Sequence, residues 1–385
     1  LSSASYKFEY MYKVYEQFEN LIKTGNAKPE DANRVIMHFS YDCAPASLYD
    51  QNLIAQAKSS MSQSQFDREF EAIFTDDSSG YFKTSTMAEC TIKDGSFPSV
   101  EVSGEAGAKY ILAFDPSWAE SESSDNFAIQ VFRLNDEKKQ AVLVHSYALA
   151  GAPMRQHIDY FHYLIKHFNI VAMVGDYNGG VQFLSAANES SVFKQAGINI
   201  KNIDTDFDNL EKYPNALLEA KQKYNQDDGT ICILRKPSSQ WIRRANELLQ
   251  SNFDHKRIWF ASRAINDSYD TQRRKRIPIS KIKFSNFIET EKQSDASRMI
   301  DFVEHQEDMM QVTKGECSLI QITTSPQGTQ TFDLPRELKG QTGPEKARKD
   351  SYSALVLGNW MTKIYYDFTL AKEENVQTFT PMFIR

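Results

Sequence analysis

The chain has 385 residues, of which 41% are hydrophobic and 25% are charged, as in an ordinary folded protein with room for two domains. Its formal net charge of −7 excludes a uniformly basic nucleic-acid-binding protein, so any DNA contact must come from local patches. The four cysteines are widely spaced and form no C-x-x-C pair, which argues against a zinc site or a disulfide framework. No apolar run approaches the roughly 20 residues of a membrane span, so we expect no membrane association.

The first hundred residues mix helical and irregular patterns. The predicted elements are a strand end at 1–5, an aromatic-rich helix at 6–22, a strand at 35–41 and helices at 50–60 and 64–74. The helix at 64–74 carries a stripe of Phe66, Phe70 and Phe74, and a turn follows at 76–80. Residues 84–104 are polar with Gly and Pro, which is typical of a linker.

From about residue 108 the pattern changes to strands followed by alternating helices and strands. The predicted strands are 110–115, 127–133, 141–149, 170–175, 198–203, 318–324 and 330–334. The predicted helices are 154–168, 180–196, 215–225, 238–252, 292–308 and 350–365. This order predicts an α/β domain built on a mixed sheet.

Three aspartates stand at the ends of these elements. Asp115 follows the apolar run 110–114, Asp176 follows the run 170–175, and Asp350 opens the amphipathic run 351–357. Each could be only a turn residue or a helix cap. Brought together by a fold, however, three carboxylates are the hard oxygen ligands that divalent metals use when they cut a phosphodiester.

The motifs around these acids resemble those of one protein family. They are Phe-Asp-Pro at 114–116 with Asp-Asn-Phe-Ala-Ile at 125–129, Gly-Asp-Tyr-Asn-Gly at 175–179, Phe-Asp-Leu-Pro at 332–335, and Arg-Lys-Asp-Ser-Tyr-Ser-Ala-Leu at 348–355. The last is the most specific. Together they resemble the C-terminal nuclease domain of a tailed-bacteriophage terminase large subunit, which implies an RNase H-like (retroviral integrase-like) mixed sheet flanked by helices.

The N-terminal part resembles the same family. The Ser-rich start at 1–5 is similar to the coupling motif of a terminase ATPase domain, and the segment 65–82 is similar to the bridge that follows it. We therefore expect residues 1–84 to be the end of an ATPase domain with the bridge, 85–107 a linker and 108–385 the nuclease domain. The sequence has no G-x-x-x-x-G-K-[ST] loop, so we expect no productive ATP binding by this chain, with the motor half missing from it.

The resemblance also implies roles for the acids. Asp115 would bridge two ions, either Mg²⁺ or Mn²⁺, with Asp176 binding one of them and Asp350 the other. Asp125 matches a further acid of the family, as ligand or supporting carboxylate, and Glu120 and Glu122 are weaker candidates. Many members carry two adjacent acids at the third position, whereas here Ser351 follows Asp350. Without metal, clustered carboxylates should repel one another and raise some of their pKa values.

The strongest basic patch lies between the predicted helices 238–252 and 292–308. It comprises Arg273, Arg274, Lys275, Arg276, Lys281 and Lys283, which Arg348 and Lys349 could extend. Such runs are often merely solvated, but in a nuclease they would contact the DNA backbone rather than read bases. The implied partners are double-stranded DNA, a portal protein and a small terminase subunit. We expect a ring in the motor, a monomer for this chain alone, and action in the host cytoplasm.

Two other interpretations remain open at this point. The chain could be a non-catalytic module that docks onto DNA or the portal, with its acids vestigial. It could also be a resolvase or transposase on the same fold, although the segment 1–84 argues against this. Mutation of Asp115 separates the first alternative from an endonuclease, and a preference for branched DNA would favour the second.

Overall fold

The structure is a computed structural model. It describes residues 10–24, 37–45, 48, 50–61, 63–74, 80–93, 96–121, 123–202, 231–262, 296–325, 329–339 and 346–377. Within these ranges no helix is both long and apolar enough to cross a membrane. The predicted strand end at 1–5, the helix at 215–225 and the basic run from Arg273 to Lys283 lie outside the described residues.

A six-stranded sheet forms the centre of the molecule. Its strands are β1 (Tyr110–Asp115), β2 (Phe127–Asn135), β3 (Gln140–Leu149), β4 (Ile170–Asp176), β5 (Ile231–Arg235) and β6 (Ile258–Phe260), in the spatial order β5-β4-β1-β2-β3-β6. The first three strands are antiparallel neighbours, whereas β4 runs parallel to β1 and β5 runs parallel to β4. This is the RNase H-like mixed sheet that the sequence predicts. A separate hairpin joins β7 (Gln321–Thr324) and β8 (Gln330–Asp333).

Helices surround the sheet and precede it. They are α1 (Tyr10–Thr24), α2 (Gln51–Ser60), α3 (Gln63–Glu69), α4 (Thr84–Glu89), α5 (Met154–His167), α6 (Tyr177–Glu189), α7 (Ser191–Ala196), α8 (Ser239–Asp254), α9 (Ala296–Leu319), α10 (Arg336–Lys339) and α11 (Asp350–Gln377). The first strands were predictable because each is a nearly unbroken apolar run, and β1 is buried over its first five residues.

The two faces of the sheet carry different helices. Phe114 of β1 packs on Phe161 of α5 and Phe183 of α6. Side chains alternate across a strand, so the next residue, Asp115, points to the opposite face, which α11 covers through contacts with β1, β2 and β4. Gly358 of α11 makes this packing close, because a Cβ there would lie 2.0 Å from the ring of Phe132 on β2.

Several sequence-based boundaries were wrong. Residues 37–41 of the predicted strand 35–41 are not a strand, because the Tyr41 amide donates to the Phe70 carbonyl in the turn after α3 and begins a 3₁₀ turn. The predicted helix 64–74 ends at Glu69, before Ala72 with a φ of 56°. The predicted helix 180–196 is broken where the Ser190 side chain accepts from the Phe193 amide and caps a new helix.

The second half of the chain also differs from prediction. Helix α9 continues eleven residues past the predicted end at 308, so the following strand begins at 321 rather than 318. In the predicted strand 198–203, the described residues contribute one bridge, between Asn202 and Cys232. Strands β5 and β6 were not predicted, because their apolar runs are short.

Residues 80–93 and 96–100 pack against the sheet domain. Tyr81, Phe82, Met87 and Cys90 belong to the same buried cluster as the central strands. The amide of Val100 donates to the carbonyl of Ser262, just beyond β6. The segment that composition marks as linker-like is thus anchored to the sheet edge, and the domain boundaries at 84 and 107 stay a prediction.

Candidate functional site

Asp115 and Asp176 lie at the carboxyl ends of two adjacent parallel strands. Phe114 of β1 is in register with Gly175 of β4, so the two aspartates follow at equivalent positions and point to the same face. Gly175 permits this register, since a Cβ there would lie 2.4 Å from the Phe114 ring. Asp176 also caps α6, because its carboxylate accepts the Asn178 amide at 2.7 Å. The capping role considered from sequence is therefore real, and it leaves a second oxygen on Asp176.

Asp350 reaches the same face from the other direction. It is the first residue of α11 and is only 8% exposed. Its Oδ2 accepts the backbone amide of Asn126 at 2.6 Å, which ties the start of the helix to the residue that precedes β2. The carboxylate of Asp350 is thus oriented by a partner 224 residues away in sequence.

The three aspartates interact electrostatically. Burial raises the pKa of Asp115 well above its ordinary value, and the charges of Asp350 and Asp176 raise it further, opposed by a hydrogen bond from Ser353 and by Lys349. Burial likewise raises the pKa of Asp176, against the Asn178 amide. Burial raises the pKa of Asp350 to about 6, opposed by the Asn126 amide. At Asp115, the charges of Asp350 and Asp176 raise the pKa in the direction that the sequence predicts, with burial as the larger cause.

The arrangement fits a divalent cation by chemistry and charge. Three carboxylates supply hard oxygen donors, and the repulsion that raises the pKa of Asp115 is what a bound cation would relieve. Within the described ranges, however, no three His, Cys, Asp or Glu side chains are gathered closely enough to hold one ion. Metal binding would therefore have to draw the three acids together.

The loop between β1 and β2 contributes less directly. Asp125 is exposed and pairs with Lys346 at 2.7 Å, so it stands outside the buried cluster and acts on Asp350 only through its charge. Glu120 is exposed, and Glu122 is outside the described residues. Supporting charge, rather than ligation, is the role that this geometry favours for Asp125.

The basic residues before α11 all contact the protein itself. Lys346 pairs with Asp125, and Arg348 donates to the Ser124 carbonyl at 3.1 Å. Lys349 pairs with Asp333 of β8 at 2.9 Å. Arg348 and Lys349 remain partly exposed, so their predicted contact with DNA stays a prediction. In this structure they fasten the β1–β2 loop and the β7–β8 hairpin to the start of α11.

Sequence reasoning missed Glu316, a buried carboxylate beside the acid cluster. It lies on α9, is 6% exposed, and accepts the Tyr352 amide at 3.0 Å. Burial raises its pKa to about 8, the charge of Asp350 adds to this, and the amides of Tyr352 and Ser351 oppose it. No motif marks this residue, because a glutamate on a long helix ordinarily indicates a solvated face.

Sequence reasoning also missed how Arg235 is held. It ends β5 in register with Asp176, so Asp115, Asp176 and Arg235 form one row across three parallel strands. Its guanidinium is buried between the rings of Trp241 on α8 and Trp360 on α11, 5.2 and 5.6 Å from their centroids. This cation fastens α11 to the strand beside Asp176.

No protein-family model matches the sequence, and no curated protein is significantly similar to it. Solved structures with a similar chain path are large terminase nucleases. The large terminase nuclease from thermophilic phage G20c is 10% identical with a TM-score of 0.36, and the match covers 71% of this chain and 95% of that one. That nuclease has also been solved with bound magnesium.

Two further structures give the same picture. The nuclease domain of the large terminase subunit of bacterial virus Sf6 is 12% identical with a TM-score of 0.37, covering 73% of this chain and 98% of that one. The HK97 bacteriophage large terminase is 10% identical with a TM-score of 0.38, covering 90% of this chain and 60% of that one. These structures are those of the family that the motifs resemble. At such identities and TM-scores the likeness carries no weight for function, which rests on the site itself.

Proposed function

We propose that this chain is the nuclease part of a terminase large subunit and that it cuts double-stranded DNA during viral genome packaging. The observation that carries the proposal is the convergence of Asp115, Asp176 and Asp350, from β1, β4 and α11, on one face of an RNase H-like sheet. The charges of Asp176 and Asp350 both act on Asp115. Three carboxylates that share a partly buried site repel one another and destabilise the fold. A purely structural role would not require such an arrangement.

In the proposed reaction Asp115, Asp176 and Asp350 would hold two Mg²⁺ or Mn²⁺ ions, with Asp115 as the ligand common to both, and Asp125 would support them by charge. Such ions would supply an activated water and would neutralise the charge on the phosphoryl and leaving oxygens. The amide of Asn126 orients Asp350, and α11 closes the buried side of the site. Arg348, Lys349 and the basic run of Arg273, Arg274, Lys275, Arg276, Lys281 and Lys283 would bind DNA phosphates without base readout.

The proposal extends to the assembly. The nuclease would act in a host-cell cytoplasm as one part of a packaging motor with a portal protein and a small terminase subunit. Because the whole protein is acidic, with a net charge of −7, its own affinity for DNA should be low. Assembly into a ring around translocating DNA would raise the local DNA concentration and compensate for weak binding.

The test is conversion of supercoiled plasmid to nicked and linear DNA with Mn²⁺, Mg²⁺ or EDTA. Asp115→Asn should abolish metal-dependent cutting, since it removes the shared ligand while preserving shape. Asp136→Asn is the matched control, because it removes a carboxylate that pairs with Lys109 at the opposite end of β1 from Asp115 and should leave cutting intact. Equal cutting by Asp115→Asn, or no cutting under any metal, would favour the non-catalytic docking module. A strong preference for branched DNA would favour a resolvase.

A further inference from the structure

The first turn of α11 is held by groups from two other elements. Asp350, its first residue, turns its own carboxylate away to accept the Asn126 amide. The first amides of an α-helix lack partners within the helix and are ordinarily satisfied by a side chain at its start. Here the Tyr352 amide donates to Oε2 of Glu316 on α9, at 3.0 Å. The Ser351 amide adds to the stabilisation of the same carboxylate.

The peptide between Ser351 and Tyr352 is bound at both ends. While its N–H donates to Glu316, its carbonyl oxygen accepts from Nε2 of Gln130 on β2, at 2.9 Å. The same Nε2 lies 3.1 Å from the hydroxyl of Thr313, one turn before Glu316 on α9. Gln130 and Glu316 are both buried, with exposures of 0% and 6%. The backbone that follows Asp350 is therefore fixed between the sheet and α9.

We propose that Glu316 is a positioning residue that caps α11 in place of Asp350 and so leaves the Asp350 carboxylate available to a divalent ion. The inference rests on the proposed metal-dependent function. Its physical basis is a division of roles: Oδ2 of Asp350 already accepts the Asn126 amide, so a cap made by the other oxygen would leave none for an ion. Glu316 takes the first role from α9, and Gln130 fixes the opposite end of the same peptide. Partners of this kind commonly affect metal affinity 10- to 100-fold.

Two substitutions separate the reach of Glu316 from its charge. Glu316→Asp keeps the carboxylate but withdraws it by one methylene from the Tyr352 amide. Glu316→Gln removes the ionisable carboxyl but keeps an acceptor oxygen at the original reach. Positioning requires reach, so we expect Glu316→Asp to weaken Mn²⁺ binding by about 10-fold or more and Glu316→Gln to stay within about threefold. A direct metal ligand would give the opposite order, because the amide is a poor substitute for a carboxylate.

A matched control lies on the same helix. Gln306 is buried, and its Oε1 accepts the Ser146 amide of β3 at 2.7 Å. Gln306→Asn shortens an equivalent buried acceptor by one methylene without touching α11. We expect it to lower stability much as Glu316→Asp does, with Mn²⁺ affinity within about threefold of the unmodified chain. If Glu316→Asp and Gln306→Asn both lowered Mn²⁺ affinity, the loss would reflect a general loss of packing around α9. That result would overturn the proposal.

The measurement is Mn²⁺ affinity of the DNA-free chain by calorimetry, together with amide hydrogen exchange at Tyr352 without metal. Glu316→Asp should speed that exchange, and Glu316→Gln should not. Unchanged Mn²⁺ affinity in Glu316→Asp would overturn the inference, as would equal weakening by both substitutions. If Glu316→Asp does not fold, Gln130→Leu removes the hydrogen bond at the other end of the peptide. A loss of Mn²⁺ affinity of about 10-fold or more is then expected, and a change within about threefold would overturn the inference.

The outcomes also separate this inference from the proposed function. If the unmodified chain binds Mn²⁺ but cuts no plasmid, the endonuclease proposal fails, while the contrast between Glu316→Asp and Glu316→Gln still decides the role of Glu316. If the unmodified chain binds no Mn²⁺ at millimolar concentration, both are overturned. If it cuts DNA and both substitutions bind Mn²⁺ normally, only the role of Glu316 is overturned.

Discussion

Replacing Asp350 with Asn should stabilise the metal-free protein at alkaline pH. The pKa of Asp350 rises from 3.8 to about 6 on folding, chiefly because the carboxyl is buried. Each pKa unit corresponds to about 1.4 kcal/mol. The charged form therefore lowers the free energy of unfolding by about 3 kcal/mol once the pH is above 6. Asn has a similar shape, retains an acceptor for the Asn126 amide, and carries no charge to bury.

The direction in which the free energy of unfolding changes with pH follows from proton linkage. The folded protein binds the Asp350 proton more tightly than the unfolded chain does. The free energy of unfolding should therefore fall as pH rises from about 4 to about 6, and it should stay low above that range. In Asp350→Asn this part of the fall is absent. At pH 4.5 the variant and the unmodified chain should differ by less than about 1 kcal/mol, and at pH 8 the variant should be more stable by about 2–3 kcal/mol.

Urea denaturation in EDTA at pH 4.5 and pH 8 measures this difference. The matched control is Asp125→Asn, which removes an exposed carboxylate paired with Lys346 and should change stability by less than about 1 kcal/mol. An Asp350→Asn protein that is no more stable than the unmodified chain at pH 8 would refute the reasoning. The hydrogen bonds of the charged carboxylate would then outweigh its desolvation and its repulsion by Asp125.

Three further outcomes follow from the same geometry. Saturating Mn²⁺ at about 100 times its Kd should stabilise the unmodified chain by about 2.7 kcal/mol and Asp115→Asn by much less, as thermal unfolding would measure; equal stabilisation would contradict a site at Asp115. Gly175→Ala should cost about 2–3 kcal/mol, because the new methyl would overlap the buried Phe114 ring; an unchanged urea midpoint would show that the ring can move aside. Gly315→Ala on α9 meets nothing within 4 Å and should instead add about 0.5–1 kcal/mol, so a loss of stability there would reveal an unexpected contact.

The predictable part of the fold is the part written in local patterns. Strands β1 and β4 are apolar runs that end in a charged residue, and alternation along β1 directs Phe114 and Asp115 to opposite faces. The ends of adjacent parallel strands meet at one edge of a sheet, so Asp115 and Asp176 could be paired from sequence once the strand order was known. The motif beginning at Arg348 supplied the third acid.

The unpredicted part depends on distant contacts. Strand β6 has three residues and forms because β3 and the segment around Thr91 provide backbone partners. The end of α9 resembles a strand in its apolar residues, but packing against the sheet keeps it helical through Leu319. Glu316 gives no local signal at all, since its role is defined by an amide on another helix. Arg235 similarly gained its buried setting from two tryptophans on separate helices.

The distance in sequence between Asn126 and Asp350 has a consequence for protein synthesis. The contact joins residues 224 positions apart. Asp350 is the last of the three aspartates to be translated, and the helix that carries it begins there. Domains fold as their residues leave the ribosome, starting from the N-terminal side. A nascent chain that has reached residue 340 already contains Asp115 and Asp176 but lacks the third carboxylate and the helix that closes the sheet face. The third carboxylate therefore joins the other two only after residue 350 and the helix that begins there have left the ribosome.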